Sequence, residues 1–380
     1  MAPGPVVWSR SRNRGRKAPW DNDVSEIVHK AALPRGLFAS GSPPQIYLRP
    51  LDRPECLVER VEVLLRQPDR IVSVETAIDG VRDWAAAEGA MARARIKTLI
   101  DRISGSRLPF AGLALDRPRI MGIVNVTPDS FSDGGQFVVP EAAIAHGRTL
   151  RAAGADILDI GGESTRPGAV PVSADDELKR VIPVIAGLQD CGVPLSIDTR
   201  RAAVMAAALD AGAAIVNDVS ALTHDPDSPA LAARCRAPVV LMHMQGEPAT
   251  MQADPRYDYA PLDVFDYLEV RIAACVAAGI APANIAVDPG IGFGKSVKHN
   301  LEILRRLSLF HGLGVPILLG ASRKGFIGRL SPGESADRRL PGSLAAALAG
   351  VAQGVQILRV HDVAETAQAL AVWQAIQSAS

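Results

Sequence analysis

The chain has 380 residues, 48% of them apolar, and its 41 basic residues balance 41 acidic ones. This length predicts one large domain or two, with enough apolar residues for a core. The zero net charge argues against a general nucleic-acid binder, and no apolar run reaches the roughly 18 residues of a membrane span. The cysteines are far apart and form no CxxC pair, which favours reduced thiols in a cytoplasmic protein over disulfides.

Residues 1–45 are rich in arginine and proline and show no hydrophobic periodicity. This composition predicts a disordered tail. An arginine-rich start without acidic residues is also typical of organelle transit peptides, but we favour a solvated tail or an upstream start codon.

Residues 46–117 are predicted to form a small α+β extension of unknown function. Residues 46–51 and 70–78 resemble strands, 55–65 has helical spacing, and 81–103 should be one long helix rich in Ala and Arg. Nothing in the extension carries recognisable chemistry.

From residue 118 to the end of the chain, apolar strands alternate with helical patterns. The predicted strands are 120–124, 156–160, 194–198, 213–217, 238–242, 284–287, 315–319 and 355–358. The predicted helices are 140–153, 173–188, 200–211, 227–235, 263–279, 297–308, 341–353 and 362–377. Alternating β and α elements imply a parallel sheet, and eight units favour a (β/α)8 TIM barrel over an open, doubly wound sheet.

Polar side chains follow every predicted barrel strand, whereas the loops at the opposite ends are short and carry mainly small, uncharged residues. The groups at the strand ends are Asn125, Glu163 to Arg166, Asp198 to Arg200, Asn217 and Asp218, His243 to Gln245, Asp288, Ser322 to Lys324, and Arg359 to Asp362. Active sites of such barrels lie at the carboxyl ends of the strands. The asymmetry between the two rims therefore predicts an enzyme.

Taken singly, these side chains also have structural explanations. Asp198 could cap a helix, Asn217 and Asp218 could be turn residues, and Lys324 could be a solvated surface group. We interpret His243 as a satisfied core histidine, because no second His or Cys lies at the spacing of a zinc site. The coincidence of eight polar strand ends on one rim favours function for the set.

The glycine-rich stretch 290–296 (GIGFGKS) superficially resembles a nucleotide-binding loop. A P-loop requires glycine where this chain has Pro289, and a dinucleotide fingerprint requires glycine where it has Lys295. Both motifs are therefore excluded, and with them ATPase and dehydrogenase functions.

Eight motifs occur in order between about 118 and 375: MGIVNVTPDSFSDGG, DIGGESTRPGA, SIDTR, VNDV, LMHMQG, DPGIGFGK, GASRK and RVHDV. In sequence and spacing this part of the chain resembles dihydropteroate synthase. The resemblance implies a transferase of folate biosynthesis, which condenses 6-hydroxymethyl-7,8-dihydropterin pyrophosphate with p-aminobenzoate by an SN1-like path. It also implies Mg²⁺ as the cofactor, a cytoplasmic homodimer and sensitivity to sulfonamides.

The resemblance further assigns residues to subsites. The implied pterin-binding residues are Asp198, Asn217, Asp288 and Lys324. The implied pyrophosphate-binding residues are Asn125, Thr165, Arg359 and His361, with Asn125 also reaching the metal. The implied p-aminobenzoate-binding residues are Phe131, Thr165, Pro167, Phe293 and Ser322. The implied catalytic residues are Asp129, Asp198 and Lys324. Loops 127–135 and 163–170 are expected to close over the site, and Ile291 replaces a Phe of many members.

Two rival functions are weighed against this interpretation. A pterin-binding barrel of the methyltetrahydrofolate methyltransferase kind would lack the Ser322-Arg323-Lys324 and Ser164-Thr165-Arg166-Pro167 signatures. A non-catalytic paralogue would be expected to lose loop residues such as Asp129, Thr165 or Arg359, and this chain has all three.

Overall fold

A computed structural model describes residues 26–36, 45–52, 57–126, 140–164, 172–247 and 250–379. Four of the predicted site residues, Asp129, Phe131, Thr165 and Pro167, lie outside the described residues. Most of the two loops that are predicted to close over the site lies outside them as well.

The N-terminal extension is a four-stranded mixed sheet with two helices. Its strands are β1 (Glu26–His29), β2 (Ile46–Pro50), β3 (Arg60–Arg66) and β4 (Arg70–Ala77), in the order β1-β4-β3-β2. Strand β1 runs parallel to β4, and the other pairs are antiparallel. Helices α1 (Ile78–Glu88) and α2 (Ala90–Ser104) follow.

The extension differs from its prediction in three places. The predicted helix at 55–65 is wrong: the segment leads into β3, because Val61, Val63 and Leu65 alternate along a strand that pairs on both sides. The predicted helix at 81–103 is two helices, separated at Gly89, whose φ of 111° cannot continue a helix. Strand β1 lies within the predicted disordered tail, where pairing with β4 orders it.

The remainder of the described chain is a closed parallel barrel. Its strands are β5 (Arg119–Asn125), β6 (Ile157–Gly161), β7 (Leu195–Asp198), β8 (Ile215–Asp218), β9 (Val239–Met242), β10 (Ile285–Asp288), β11 (Leu318–Leu319) and β12 (Ile357–Val360). The sheet order is β10-β9-β8-β7-β6-β5-β12-β11. Val287 pairs with Ile317 and donates its N–H to the Pro316 carbonyl at 2.9 Å, which closes the ring. The predicted (β/α)8 barrel is confirmed.

Helices surround the barrel. They are α3 (Pro140–Ala152), α4 (Ala174–Leu188), α5 (Ala202–Asp210), α6 (Ser228–Cys235), α7 (Ala260–Ala277), α8 (Val297–Arg305), α9 (Gly325–Leu330), α10 (Leu340–Val351) and α11 (Val363–Ser378). Short 3₁₀ helices cover Gln189–Cys191, Pro282–Asn284, Leu307–Leu313 and Ala336–Arg338. Within the described ranges, no helix is both long and apolar enough to cross a membrane.

A layer of apolar side chains fills the amino-terminal half of the barrel. The members of this layer are Met121, Ile157, Ile215, Val240, Ala286, Leu318 and Ile357, one from each of seven strands, and Phe110 packs against them. Side chains two residues further along a strand face the same side. The next layer towards the carboxyl ends therefore also faces the interior.

The extension packs against helix α7 of the barrel. The Tyr47 hydroxyl donates to Asp266 at 2.9 Å, and its ring meets the edge of Phe265 at 5.4 Å between centroids. Arg66 pairs with Asp263 and Asp266 at 2.5 and 3.1 Å. Because buried apolar residues of both parts form one continuous cluster, the extension shares a core with the barrel.

Candidate active site

The layer above the apolar one is polar, and it forms the floor of the candidate site. Asp159, Asn217, Asp288 and Arg359 each come two residues after a member of the apolar layer. Asp198 joins them from the end of β7, where it is opposite Asn217 in the strand register. Strand alternation thus carries these side chains from five strands into the barrel mouth.

Hydrogen bonds link four of these side chains across the mouth. Arg359 donates from Nε to Asp159 Oδ2 and from Nη2 to Asp198 Oδ2, both at 2.6 Å. The Asn217 amide donates to the same Asp159 oxygen at 3.1 Å. Sequence reasoning assigned roles to Arg359, Asp198 and Asn217 but did not single out Asp159, although an acidic residue inside an apolar strand was a signal for it.

Negative charge is concentrated around Arg359. Burial raises the pKa of Asp198 to about 7, with Arg359 opposing the shift and the charge of Asp159 adding to it. Burial also opposes the charge of Arg359, but the carboxylates of Asp159 and Asp198 raise its pKa above the ordinary value. The site therefore holds a permanent cation beside Asp198, whose carboxylate accepts a proton more readily than an ordinary aspartate.

Asp288 is held on the opposite side of the mouth. Its Oδ1 accepts the backbone N–H of Gly290 at 2.7 Å, and its side chain is almost wholly buried. Burial raises the pKa of Asp288, while the hydrogen bond from Gly290 and the charges of Lys324 and Lys295 oppose that shift. A β-carbon at Gly320 would lie 3.4 Å from Asp288 Oδ2, so the glycine leaves room for this carboxylate.

The glycine-rich stretch has a packing role in this structure. Gly290 and Gly294 have φ values of 69° and 58°, and a β-carbon on them would lie 1.9 Å from the His243 carbonyl oxygen and 2.3 Å from the Gln245 carbonyl oxygen. The loop after β10 therefore crosses the backbone after β9 at a distance that only glycine permits.

A buried lysine fixes this crossing. Lys295 Nζ lies 2.9 Å from His243 Nδ1 and donates to the carbonyls of Phe293 and His243 at 3.0 and 3.3 Å. Burial lowers the pKa of Lys295 to about 7. The structure agrees with the interpretation of His243 as a satisfied core histidine, whereas the position of Lys295 was not foreseen.

Lys324 and Phe293 form one wall of the site. The Lys324 ammonium lies 3.9 Å from the centre of the Phe293 ring, within the range of a cation–π contact. Both side chains are half-buried. An aromatic face and a cation are thus presented together near the carboxylate of Asp288.

Ser322 and His361 lie at the ends of two neighbouring strands. The Ser322 hydroxyl is 3.0 Å from His361 Nδ1 and accepts the His361 backbone N–H at 3.2 Å. Burial, with the nearby charge of Arg359, lowers the pKa of His361 to about 3, so the ring is neutral at pH 7. Arg323, between Ser322 and Lys324, makes a two-pronged ion pair with Asp362, which ties these strand ends together.

A second ion-pair group supports the loop after β6. Arg201 pairs with Glu163 at 3.1 Å, also contacts Glu177, and donates to the Val172 carbonyl at 2.6 Å. Glu163 and Val172 stand on either side of segment 165–171, which lies outside the described residues. Asp218 has a different role: its carboxylate accepts the Ser220 backbone N–H at 2.7 Å, as a turn residue does.

Most of the predicted site residues that the structure describes lie at one end of the barrel. Asn125, half-buried at the end of β5, is opposite Gly161, which in turn is opposite Asp198. The predicted residues within the described ranges are Asn125, Asp198, Asn217, Asp288, Phe293, Ser322, Lys324, Arg359 and His361. Their subsite roles remain predictions, as do those of the four residues outside these ranges.

Comparison with known proteins bears on these predictions. Residues 121–361 match the family model described as pterin binding enzyme. The chain is 51% identical over 269 residues to the dihydropteroate synthase of Neisseria meningitidis serogroup B, covering 70% of this chain and 94% of that protein. The family model begins after the extension, which therefore lies outside the match.

Solved structures give the same result. Xanthomonas albilineans dihydropteroate synthase with 4-aminobenzoic acid aligns with a TM-score of 0.68 and 51% identity, covering 72% of this chain and 99% of that one. The same organism's enzyme in complex with 7,8-dihydropteroate aligns with a TM-score of 0.64 and 49% identity, covering 70% and 97%. Since the family model spans more than half of the chain and the relatives are covered almost completely, the chain belongs to the pterin-binding enzyme family and, within it, to the dihydropteroate synthases.

Proposed function

We propose that this chain joins 6-hydroxymethyl-7,8-dihydropterin pyrophosphate to p-aminobenzoate, releasing 7,8-dihydropteroate and pyrophosphate. The observation that carries the proposal is the convergence of Asp198, Asn217 and Asp288 on one barrel mouth, with Lys324 beside Phe293 at its edge. The resemblance to the synthases with 4-aminobenzoic acid and with 7,8-dihydropteroate supports the same substrates here.

The polar layer suits a pterin ring. The ring has a guanidine-like edge with two N–H donors, which one carboxylate can accept in parallel. We assign this edge to Asp288, other ring heteroatoms to Asp198 and Asn217, and an acceptor atom of the ring to Lys324. A buried polar ring needs all its groups paired, so several fixed partners give selectivity against rings that lack those groups.

The pyrophosphate is assigned to Arg359, His361 and Asn125, with Thr165 from the loop after β6. Arg359 supplies a permanent cation, and a neutral His361 can donate a hydrogen bond from Nε2 while Nδ1 accepts from Ser322. These donors are proposed to stabilise the negative charge that develops on the leaving group more than they stabilise the charge already present on the bound substrate.

Mg²⁺ is proposed as the cofactor on the resemblance to the family. In the described ranges no group of three or more His, Cys, Asp or Glu side chains is placed to hold a metal ion. Mg²⁺ in phosphate sites is commonly held by one or two protein oxygens, the substrate phosphates and water, which requires no such cluster. The amide oxygen of Asn125 is the protein ligand we assign. When bound, the ion would neutralise charge on the departing pyrophosphate.

The reaction is proposed to follow an SN1-like path. Cleavage of the bond between the hydroxymethyl carbon and oxygen leaves a cation that the pterin ring stabilises, and Asp129 is assigned to face it. The aniline nitrogen of p-aminobenzoate is neutral at pH 7 and attacks without a strong base. The chain's residues therefore orient the two reactants and stabilise charge, with no covalent intermediate on the enzyme.

The second substrate is assigned to the rim of the mouth. Ser322 can donate to its carboxylate, and the Phe293 face beside the Lys324 charge can stack on its ring. Phe131, Thr165 and Pro167 are proposed to complete this pocket when the two loops close and exclude water. Sulfonamides, as analogues of p-aminobenzoate, should compete for the same pocket.

We further propose that the protein works as a homodimer in the cytoplasm. Cys191, Cys235 and Cys275 are free thiols, which supports a reducing compartment. Light scattering of the purified protein at several concentrations would measure its mass and test the dimer.

Pyrophosphate release from the purified protein tests the function. Given the pterin pyrophosphate and Mg²⁺, release should require p-aminobenzoate and should fall when a sulfonamide is added. Binding of the pterin without release would contradict the synthase assignment and favour a non-catalytic pterin-binding protein. Methyl transfer from a methylated folate, without pyrophosphate release, would favour the methyltransferase alternative.

A further inference from the structure

Asp159 lies at the centre of the hydrogen-bond network in the barrel mouth and is 0% exposed. We propose that Asp159 is a positioning residue, which orients Arg359 and Asn217 for the pterin pyrophosphate without touching the reacting atoms. This inference rests on the proposed function, because that function defines the substrate whose binding should change.

The contacts of Asp159 span five neighbouring strands. Its Oδ2 accepts from Arg359 of β12 on one side of β6 and from Asn217 of β8 on the other, at 2.6 and 3.1 Å. In the sheet order, β12 and β8 each lie two strands away from β6. One carboxylate oxygen thus joins two residues that strand pairing alone would not hold together.

Asp159 accepts its hydrogen bond from Nε of Arg359, and the identity of this atom bears on the role of Asp159. A bond to Nε fixes the plane of the guanidinium group and leaves the Nη groups at the far end of the fork. In this structure Nη2 reaches Asp198. With Nε anchored, Arg359 can exchange the Asp198 contact for a phosphate oxygen while its plane and position are kept.

The other oxygen of Asp159 argues against a purely structural role. Asp159 Oδ1 is buried and has no hydrogen-bond partner within the described part of the chain. Burying a carboxylate with an unpaired oxygen costs stability, and the layer directly below shows that this barrel can be filled with apolar side chains. The cost is understandable if the charge is needed to hold a cation at the substrate site.

Two substitutions separate the charge of Asp159 from its hydrogen bonds. In Asp159→Asn the amide oxygen can take the place of Oδ2 and accept both bonds, so only the charge is lost. Asp159→Ala removes both. The matched control is Asp218→Asn, because Asp218 is equally buried, at the end of a nearby strand, but its carboxylate is bonded to Ser220 and Leu222 in its own turn.

Steady-state kinetics of the full chain with both substrates and Mg²⁺ give the first readout. Asp159→Ala should raise the KM for pterin pyrophosphate about tenfold or more and change the KM for p-aminobenzoate less than about threefold. Asp159→Asn should recover only part of the loss, because the amide keeps both hydrogen bonds but lacks the charge. Equal changes in both KM values, accompanied by a fall in Tm like that of Asp218→Asn, would overturn the proposal, and so would wild-type kinetics in Asp159→Ala.

The pH profile gives a second readout, which remains available if Asp159→Ala does not fold. The charge of Asp159 contributes to the raised pKa of Asp198, so its loss in Asp159→Asn should lower that pKa. The acidic limb of the kcat/KM profile should then move down by about half a pH unit or more. An unmoved limb together with a wild-type KM for pterin pyrophosphate in Asp159→Asn would overturn the proposal. An inactive wild-type protein would instead reject the proposed function.

Discussion

The carboxylate of Asp198 and the guanidinium of Arg359 form an ion pair at 2.6 Å in the barrel mouth. We assign Asp198 to the pterin ring and Arg359 to the pyrophosphate. These two side chains therefore contact each other before substrate binds. Substrate must replace this ion pair with contacts that are at least as favourable. Interactions realised only as charge develops on the leaving group are the ones that raise kcat.

Asp198→Asn should abolish turnover and leave the fold intact. The amide can still accept the Arg359 bond, but it cannot supply the negative charge that we assign to pterin binding. We expect kcat/KM to fall about a hundredfold or more. Pyrophosphate release measures the loss, with circular dichroism as the control for folding. Near-normal rates would remove Asp198 from the site.

The same substitution should change how stability depends on pH. The pKa of Asp198 is about 7 in the folded protein and near 3.8 in the unfolded chain, so the folded state binds more protons between these values. The contribution of Asp198 to the free energy of unfolding therefore decreases as pH rises from about 4 to about 7. Asp198→Asn should become progressively more stable than wild type over this window in Tm measurements. A constant difference in Tm would contradict the shift.

Phe293→Leu should weaken binding of p-aminobenzoate. The substitution keeps an apolar side chain but removes the ring that lies 3.9 Å from Lys324 Nζ. An aromatic pair is worth about 0.5–1.5 kcal/mol, so losing the stack on p-aminobenzoate should raise the KM roughly twofold to tenfold with a smaller change in kcat. Initial rates at varied p-aminobenzoate measure this effect. An equal rise in the KM for the pterin substrate would place Phe293 elsewhere in the site.

Lys295→Met should destabilise the fold. The substitution leaves His243 Nδ1 and the carbonyls of Phe293 and His243 without their buried donor, which should cost about 2–4 kcal/mol of unfolding free energy. The matched control is Lys179→Met, since Lys179 is exposed and pairs with Asp176 at 3.4 Å. That change should cost less than about 0.5 kcal/mol. Similar urea midpoints for the two variants would show that the Lys295 contacts are weak.

Truncations should distinguish the tail from the extension. Deleting residues 1–25 leaves every described contact in place, and we expect unchanged kinetics and Tm. Deleting residues 1–52 removes β1 and β2, including Tyr47 and its contacts with Asp266 and Phe265. The deletion exposes the edge of the sheet and the surface of helix α7, which should lower Tm by several degrees and promote aggregation. Calorimetry and light scattering test both, and an equally stable shorter protein would contradict the shared core.

Most of the barrel could be predicted because strand and helix signals alternate regularly after residue 118. The ends of its predicted strands differ from the observed ones by at most three residues, and three of them coincide, which is the usual scatter of element boundaries. Helix α9 (Gly325–Leu330) was not foreseen, since six residues with glycine at two positions show little periodicity.

The extension was harder to predict because local pattern and tertiary pairing disagree there. Val61, Val63 and Leu65 fit a strand, and the same stretch also fits helical spacing. Pairing with β2 and β4 decides between the two structures, and a sequence window contains no information about those partners.

At the site, residues at strand ends were predicted from their position, whereas one residue inside a strand and one beneath a loop were missed. Asp159 and Lys295 belong to the second group, because each owes its place to side chains far away in sequence. Asp198 and Arg359 were predicted, but their mutual contact depends on barrel closure, which brings β7 and β12 to face each other.

The packing of the extension against α7 has a consequence for self-association. Tyr47, Arg66 and Arg95 of the extension contact Asp266 and Glu269 and so cover part of the surface of α7. Surface that is buried within one molecule is not available to another. A second copy of this chain must therefore use surface that the extension leaves exposed, so the N-terminal residues restrict the geometry of any assembly as well as stabilising the fold.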